Sequence, residues 1–193
     1  VAAVRMVAPV LDQAYQVAEA HRTPDTTADK NWREAAILDA IREHLNELGV
    51  SFREVQHGET RTSEEAARAR GEELRVGGKA LLIKTDKEFR LFVLPADCRF
   101  DSAAARRELG LKKTRFASSD ELFERTGLVP GSVPPFGRPL LPYELFVDSG
   151  IADNARIAFN AGTLTDSIIM STEDYFRAAQ PNRVFAFARR DVE

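Results

Sequence analysis

The chain of 193 residues is 44% hydrophobic and 30% charged, and its formal net charge at pH 7 is -3. This length and composition predict one globular domain with an additional helical segment. The mildly acidic balance excludes an overall basic field, so a partner with a phosphate backbone has to meet a local basic patch. No apolar run is long enough to span a membrane, and the single cysteine, Cys98, excludes an internal disulfide. We therefore expect a cytoplasmic protein with no membrane partner.

The first 49 residues have the pattern of helices rather than strands. Pro9 is placed to open a first helix, and the polar stretch His21–Lys30 is typical of a linker. A second helix is predicted from a capping pair, Asn31 and Glu34, with apolar residues at helical spacing after it. We interpret residues 1–49 as an N-terminal helical extension.

Strands and short helices follow one another irregularly in the rest of the chain, residues 50–193. Apolar alternation predicts the strands, and capping residues predict the helix starts. In chain order we expect a strand Val50–Gln56, a helix from Thr62 to Gly71, a hairpin of Lys79–Thr85 and Glu88–Leu94, helices from Asp101 to Gly110 and from Ser118 to Gly127, strands Glu144–Asp148, Arg156–Phe159 and Ser167–Met170, a helix after Ser171, and a strand Val184–Ala188. Without a regular βαβ alternation, this order predicts an α+β domain with a compact mixed β-sheet and flanking helices.

Two runs carry the strongest chemical signal. Lys79 begins an apolar, β-favouring run, and residues 130–137 form a loop of Gly and Pro around Phe136. A lysine at the mouth of a strand beside a glycine loop can hold an anionic or carbonyl-bearing ligand, because the ammonium supplies charge and the loop supplies backbone N–H groups. Periodicity alone favours the simpler interpretation, a solvated lysine and an ordinary turn.

Metal and thiol chemistry have little support in the sequence. The three histidines, His21, His44 and His57, lie far apart with no ligand spacing, so we expect no metal and no cofactor. His44 falls on the outer face of its predicted helix, where we expect it to be solvated. Cys98 has no identifiable base near it in sequence, so we expect it to be structural. The sequence contains no Walker loop, dinucleotide fingerprint or G-x-S-x-G elbow.

Five short motifs follow one another in a fixed order. They are His57–Ala66, Lys79–Ile83, Phe116–Ser118, Gly131–Gly137 and Ser171–Tyr175. No one motif is specific, but together they resemble the YbaK/ProX-type aminoacyl-tRNA deacylases, which are relatives of the editing domain inserted in bacterial prolyl-tRNA synthetases. The resemblance extends over residues 50–188.

This resemblance implies a fold, an activity and a set of site residues. The family has a compact mixed sheet with flanking helices and hydrolyses amino acids wrongly attached to tRNA. Lys79 would be the essential lysine, placed near the terminal adenosine and the ester. The loop from Gly131 to Gly137, with Pro135 and Phe136, would bound the amino-acid pocket and offer backbone N–H groups. The base would be a ribose hydroxyl or the side chain of the substrate itself.

A polar set near the last strands completes the predicted pocket. The resemblance places Asn160, Gly162, Thr165 and Ser167 there, with Ser167 near a position where some members carry an acid or threonine. Uncharged polar side chains can hydrogen-bond a hydroxyl or an α-amino group, so we expect the removal of a small residue such as alanine, serine or threonine. The alternative is that this set is only the solvated surface of an edge strand.

Local basic residues allow contact with tRNA, although ordinary solvated charge explains them equally well. The candidates are Arg68, Arg70, Arg75, Lys112, Lys113 and Arg115. We expect the 3′ end of an aminoacyl-tRNA as substrate and an aminoacyl-tRNA synthetase as a further partner. Two other functions remain open from the sequence. One is a non-catalytic tRNA- or synthetase-binding module of the same fold, and the other is a hydrolase of a different small ester or amide.

Overall fold

The computed structural model describes residues 27–190, so the helix predicted at Pro9 and the first part of the predicted linker lie outside the described residues. The helices are α1 (Thr27–Glu47), α2 (Ser63–Arg70), α3 (Ser102–Leu109), α4 (Ser119–Thr126) and α5 (Thr172–Ala179). The strands are β1 (Phe52–Gln56), β2 (Gly78–Thr85), β3 (Glu88–Pro95), β4 (Arg99–Phe100), β5 (Thr114–Phe116), β6 (Leu145–Asp148), β7 (Arg156–Asn160), β8 (Asp166–Ser171), β9 (Arg183–Phe185) and β10 (Ala188–Arg189). None of these helices is both long and apolar enough to cross a membrane.

The strands form two main sheets. A mixed five-stranded sheet has the order β5-β2-β3-β6-β9, with antiparallel pairs up to β3 and parallel pairs beyond it. A three-stranded antiparallel sheet has the order β1-β8-β7, and β4 pairs with β10 in a short ribbon. A parallel bridge between Gly77 and Ala158 joins the two main sheets. The start of β2 therefore lies beside β7, and the predicted α+β fold with a mixed sheet is confirmed.

The helix caps predicted at Thr62, Asp101 and Ser118 are present. Thr62 and Glu65 form the capping box of α2, and Ser118 and Glu121 form that of α4. Asp101 caps α3 by accepting two backbone N–H groups. These side chains satisfy donors that the first turn of a helix leaves unpaired, which fixes where each helix starts. Three helices end on a glycine in the left-handed conformation, at Gly71, Gly110 and Gly127.

Two apolar clusters form the core. The larger one joins strands of both sheets with α1, whose Ile41 and Leu45 are fully buried. The smaller one is rich in aromatic rings and includes Phe92, Phe146 and Phe187. Each buried side chain of this size contributes about 1.5–3 kcal/mol relative to exposure. The helix α1 is thus held by the same core that holds the strands around the site.

Two elements depart from the expected boundaries. The helix α1 begins at Thr27 rather than at Asn31. Helix propensity is a weak local preference, and the packing of the later turns into the core stabilises a helix that starts one turn earlier. The predicted strand Val184–Ala188 is divided into β9 and β10. The backbone N–H groups of Phe187 and Ala188 donate to the carboxylate of Asp148. Because these two donors bond a side chain and not a neighbouring strand, the strand is interrupted between β9 and β10.

His44 is not a solvated residue of an outer helix face. Its Nε2 lies 3.0 Å from the carbonyl oxygen of Ala178, and its ring meets the ring of Phe136 edge-on. The expectation failed because α5 and the loop around Phe136 come from distant parts of the chain and cover this face of α1.

Candidate active site

A cavity of about 220 Å³ opens where the start of β2 meets β7 and the first turn of α2. Its walls come from α2 and the residues before it, from β2, from the glycine loop and from the end of β7. The lining residues are Thr60, Arg61, Thr62, Ser63, Ala66, Arg70, Gly77, Gly78, Lys79, Ala80, Leu81, Ala96, Gly131, Val133 and Asn160. The cavity therefore brings together Lys79, Gly131 and Asn160, three residues that the sequence predicted for the site.

Lys79 is the second residue of β2, and its side chain is about half-buried. Its Nζ donates to the backbone carbonyl of Cys98 at 2.7 Å. Burial lowers the pKa of Lys79 below the ordinary lysine value, and electrostatic interactions with Cys98, Glu64 and Asp97 act against that shift. An ammonium has three hydrogens, so two remain for a ligand after the bond to Cys98.

Gly131 forms the part of the glycine loop that reaches the cavity. Its φ of +92° is in the left-handed region, and a Cβ atom there would lie 3.3 Å from Cδ2 of Leu164. The carbonyl oxygen of Gly131 accepts a hydrogen bond from Nδ2 of Asn160 at 2.9 Å. The next residue, Ser132, accepts the backbone N–H of Gly162 at 3.0 Å. The loop is thus fixed against the end of β7 by two hydrogen bonds.

The second half of the loop lies away from the cavity. The carbonyl of Pro135 accepts the hydroxyl hydrogen of Tyr175 at 2.8 Å, and Phe136 is only 1% exposed, with its ring against Tyr175. At Gly137 a Cβ atom would lie 2.7 Å from the carbonyl oxygen of Tyr143. The structure therefore places Pro135, Phe136 and Gly137 in the packing beneath the site rather than on its lining.

The predicted polar set is also divided. Asn160 lines the cavity, whereas Ser167 is 1% exposed and donates to Oδ1 of Asn160 at 3.0 Å from below. Thr165 is exposed at the turn between β7 and β8. Gly162 packs against α1, where a Cβ atom would lie 2.7 Å from Ile37. Ser167 belongs to the support of the cavity, and Thr165 and Gly162 lie outside it.

Arg70 is a site residue that the sequence does not predict to be buried. Among the basic residues considered for tRNA contact it is the one that is only 8% exposed and lines the cavity. Burial lowers its pKa to about 10, and the charge of Glu72 acts against that shift. The signal available in the sequence was the i, i+4 spacing from Ala66, since both residues lie on the buried face of α2.

The histidine of the first motif belongs to the same polar network. Nε2 of His57 lies 2.7 Å from Oγ of Ser167, and its Nδ1 lies 2.7 Å from the carbonyl oxygen of Gly58. His57 thus contacts Ser167 without lining the cavity itself, whereas later residues of the same motif, such as Thr60 and Ala66, do line it.

The other predicted basic contacts stay at the surface. Arg75 is paired with Glu73, and Arg115 with Glu121. Lys112 is exposed, as is the lysine after it, and the backbone N–H groups of both are held by the carboxylate of Asp86.

The lining residues suit binding and electrostatic stabilisation. In the described part of the chain they include no His, Cys, Asp or Glu, and residues 27–190 contain no group of three side chains able to hold a metal ion. Burial also raises the pKa of the Cys98 thiol, which disfavours the nucleophilic thiolate. What the cavity offers is the Lys79 ammonium, the Arg70 guanidinium and the Asn160 amide, all of which can stabilise or orient an ester.

The family model of the aminoacyl-tRNA editing domain matches residues 57–178, from His57 to the end of α5. The chain belongs to the aminoacyl-tRNA editing family. The multifunctional Ser/Thr-tRNA deacylase ProXp-y of Escherichia coli is 36% identical over 146 residues, which cover 72% of this chain and 86% of that protein. The proline–tRNA ligase of Shouchella clausii is 35% identical over 103 residues, which cover 53% of this chain and 18% of the ligase.

A solved structure shares the fold of this editing family. The crystal structure of a candidate trans-editing enzyme for prolyl-tRNA synthetase has a TM-score of 0.68 and 24% sequence identity, covering 80% of this chain and 97% of that one. Membership of the family makes this chain an aminoacyl-tRNA deacylase, an ester hydrolase.

Proposed function

We propose that the chain releases a small misattached amino acid, such as serine, threonine or alanine, from tRNA, with Lys79 as its catalytic residue. One observation carries the proposal. Lys79, Gly131 and Asn160 come from three separate segments, and all three line the same cavity. The 36% identity to a Ser/Thr-tRNA deacylase supports serine and threonine as the first substrates to test.

Lys79 would stabilise the charge that develops on the ester. Attack of water on the carbonyl carbon produces a tetrahedral intermediate with a negative oxygen. The ammonium of Lys79 is half-buried, so its interaction with that oxygen is stronger than it would be in bulk water. Its bond to the Cys98 carbonyl fixes the direction in which the two remaining hydrogens point. The backbone N–H of Gly131 would add a second donor from the loop.

The base for this reaction would come from the substrate. The described lining residues offer no carboxylate, imidazole or thiol, so none of them is an ordinary general base. A hydroxyl of the terminal ribose, or of the amino-acid side chain, can hold the attacking water and relay its proton. The bond between the carbonyl carbon and the ribose oxygen then breaks, the ribose oxygen takes the proton, and the free amino acid leaves.

Asn160 would recognise the side chain of the attached amino acid by a hydrogen bond. Its Nδ2 uses one hydrogen on the Gly131 carbonyl, and the other is available to the cavity that Asn160 lines. A site built to hydrogen-bond a hydroxyl discriminates against an analogue that lacks it far better than a site sized for a methyl group does. Asn160 therefore favours serine and threonine over alanine.

The tRNA would approach across the exposed basic residues near the cavity and the hairpin. Arg68 lies on the exposed face of α2, and Lys112 and Lys113 lie at the turn before β5. Such contacts hold phosphates without reading sequence, and they weaken as salt is raised. A synthetase is a second proposed partner, supported by the match to a proline–tRNA ligase. The single cysteine and a tRNA substrate support a cytoplasmic location.

The experiment is a deacylation panel. The purified chain is incubated with tRNAs charged with labelled alanine, serine, threonine, cysteine or proline, and the release of each amino acid is followed. We expect release of serine and threonine well above the rate without protein, and slower release of alanine. Binding of charged tRNA without any release would contradict the proposal and favour the non-catalytic module.

A further inference from the structure

The guanidinium of Arg70 is a buried charge that makes its hydrogen bonds to neutral acceptors. Its Nε donates to Oγ of Ser167 at 2.9 Å, one terminal nitrogen donates to Oδ1 of Asn160 at 2.5 Å, and the other donates to the carbonyl of Ala158 at 3.3 Å. Burying a charge without a hydrogen-bonded carboxylate is costly, which explains why its pKa is lowered to about 10. A simple packing role would be filled at less cost by an apolar side chain.

The bonds from Arg70 and Ser167 determine which way the Asn160 amide faces. Both residues donate to Oδ1, so the amide oxygen faces the side chains of Arg70 and Ser167. The Nδ2 group must then lie on the other side, where one hydrogen meets the Gly131 carbonyl. An asparagine amide can rotate by half a turn and exchange donor for acceptor, and the paired donors below it forbid that rotation.

The same bonds join three walls of the cavity. Arg70 belongs to α2, Asn160 to β7 and Gly131 to the glycine loop. The chain of contacts runs from the guanidinium through the amide to the loop carbonyl, with donor–acceptor distances of 2.5 Å and 2.9 Å. A change at Arg70 is therefore expected to reach the loop through Asn160.

We propose that Arg70 is the positioning residue that determines amino-acid selection, because it locks Asn160 with its N–H toward the substrate and holds the glycine loop in place. The inference rests on the proposed deacylase function. With Asn160 held by Arg70, the cavity presents an N–H donor to the hydroxyl oxygen of serine or threonine. Without Arg70, the amide rotates and the Gly131 carbonyl loses its hydrogen bond from Asn160, so serine and alanine become similar substrates.

The test compares Arg70→Lys and Arg70→Met with the unchanged chain. The values of kcat and KM are measured for seryl-tRNA and alanyl-tRNA. We expect kcat/KM for seryl-tRNA to fall about tenfold or more, with a much smaller change for alanyl-tRNA, as for the loss of one charge-assisted hydrogen bond. The lysine variant keeps the charge but lacks the planar guanidinium that bonds three acceptors, so we expect it not to restore the serine preference.

A control variant separates selection from general loss of stability. Thr85 lies at the other end of β2, is 1% exposed, and makes part-buried hydrogen bonds to Glu88 and Arg90. We expect Thr85→Val to lower the melting temperature and to leave the ratio of serine to alanine release unchanged. An unchanged ratio in a folded Arg70→Lys or Arg70→Met variant would overturn the inference.

A double-mutant cycle tests whether Arg70 acts through Asn160. If it does, Arg70→Lys combined with Asn160→Ala selects no worse than Asn160→Ala alone. If the two effects multiply, Arg70 acts by another route and the inference is wrong. The cycle with Arg70→Lys decides the matter even where Arg70→Met does not fold. Failure of the unchanged chain to release any amino acid would instead overturn the proposed function itself.

Discussion

Lys79 is bound to the main chain of Cys98 and not to its thiol: Nζ of the lysine donates to the cysteine carbonyl oxygen at 2.7 Å. The position of the ammonium therefore depends on the turn between β3 and β4, whatever side chain that turn carries at residue 98. The thiol itself is buried beside the aromatic cluster. The hydrogen bond that positions the proposed catalytic lysine is therefore independent of the Cys98 thiol.

Cys98→Ala should keep the deacylation rate within about twofold, because the backbone carbonyl that accepts from Lys79 is retained and only the buried sulfur atom is removed. Burial raises the pKa of the thiol, so alkylating reagents should react slowly and should not inhibit the unchanged chain. The measurement is deacylation before and after treatment with iodoacetamide. Inhibition of the unchanged chain that disappears in Cys98→Ala would establish a thiol mechanism instead.

Gly131→Ala should lower both activity and stability. The φ of +92° disfavours any residue with a Cβ atom, and strain of this kind costs about 1–3 kcal/mol. The loop carbonyl that accepts from Asn160 would shift with it. Gly58→Ala is the matched control, because a Cβ atom there meets no atom within 4 Å. Thermal melts and deacylation rates should change for the first variant only, and equal changes in both would show that the backbone of Gly131 has no special role.

Much of the fold was predictable from local signals. The capping boxes at Thr62 and Ser118 and the hairpin turn after Thr85 depend on residues close together in sequence. The prediction that Lys79 lies at the start of a strand is also confirmed. Such features need no knowledge of what packs on them, because their hydrogen bonds are made within a few residues.

The rest of the site depends on contacts between distant segments. Phe136 was placed on the pocket wall, but α1 and α5 cover it and bury it in the core. The sequence does not predict a buried Arg70, because its hydrogen-bond partners Ser167 and Asn160 are about 90 or more residues away in the chain. Periodicity gives the face of a helix that is buried, but it does not say which buried polar groups will be there to receive a charge.

Glu121→Gln should make the chain less stable at neutral pH but not in strong acid. The two bonds from Arg115 and the backbone N–H of Ser118 lower the pKa of Glu121 to about 2. A carboxylate with a lowered pKa stabilises the folded state above its ordinary value of 4.5, and that contribution is lost as the pH falls toward about 2.

Denaturant unfolding at pH 7 and at pH 3 checks this prediction. The difference in unfolding free energy between the unchanged chain and Glu121→Gln should be larger at pH 7 than at pH 3. Glu124→Gln, an exposed change on the same helix α4, is the control and should show little difference at either pH. A difference for Glu121→Gln that does not depend on pH would mean that its charge adds nothing to stability.

The most direct test of the account is the effect of Lys79→Ala on deacylation of seryl-tRNA, with Lys84→Ala as its control. Both lysines lie on β2, but only Lys79 lines the cavity, whereas Lys84 lies over the ring of Phe89. With both variants folded, as judged by their melting curves, we expect Lys79→Ala to be slower by about a hundredfold or more, the scale of losing one donor to a developing oxyanion, and Lys84→Ala to be unchanged. A folded Lys79→Ala variant that releases serine at the rate of the unchanged chain would contradict the assignment of the cavity as the active site.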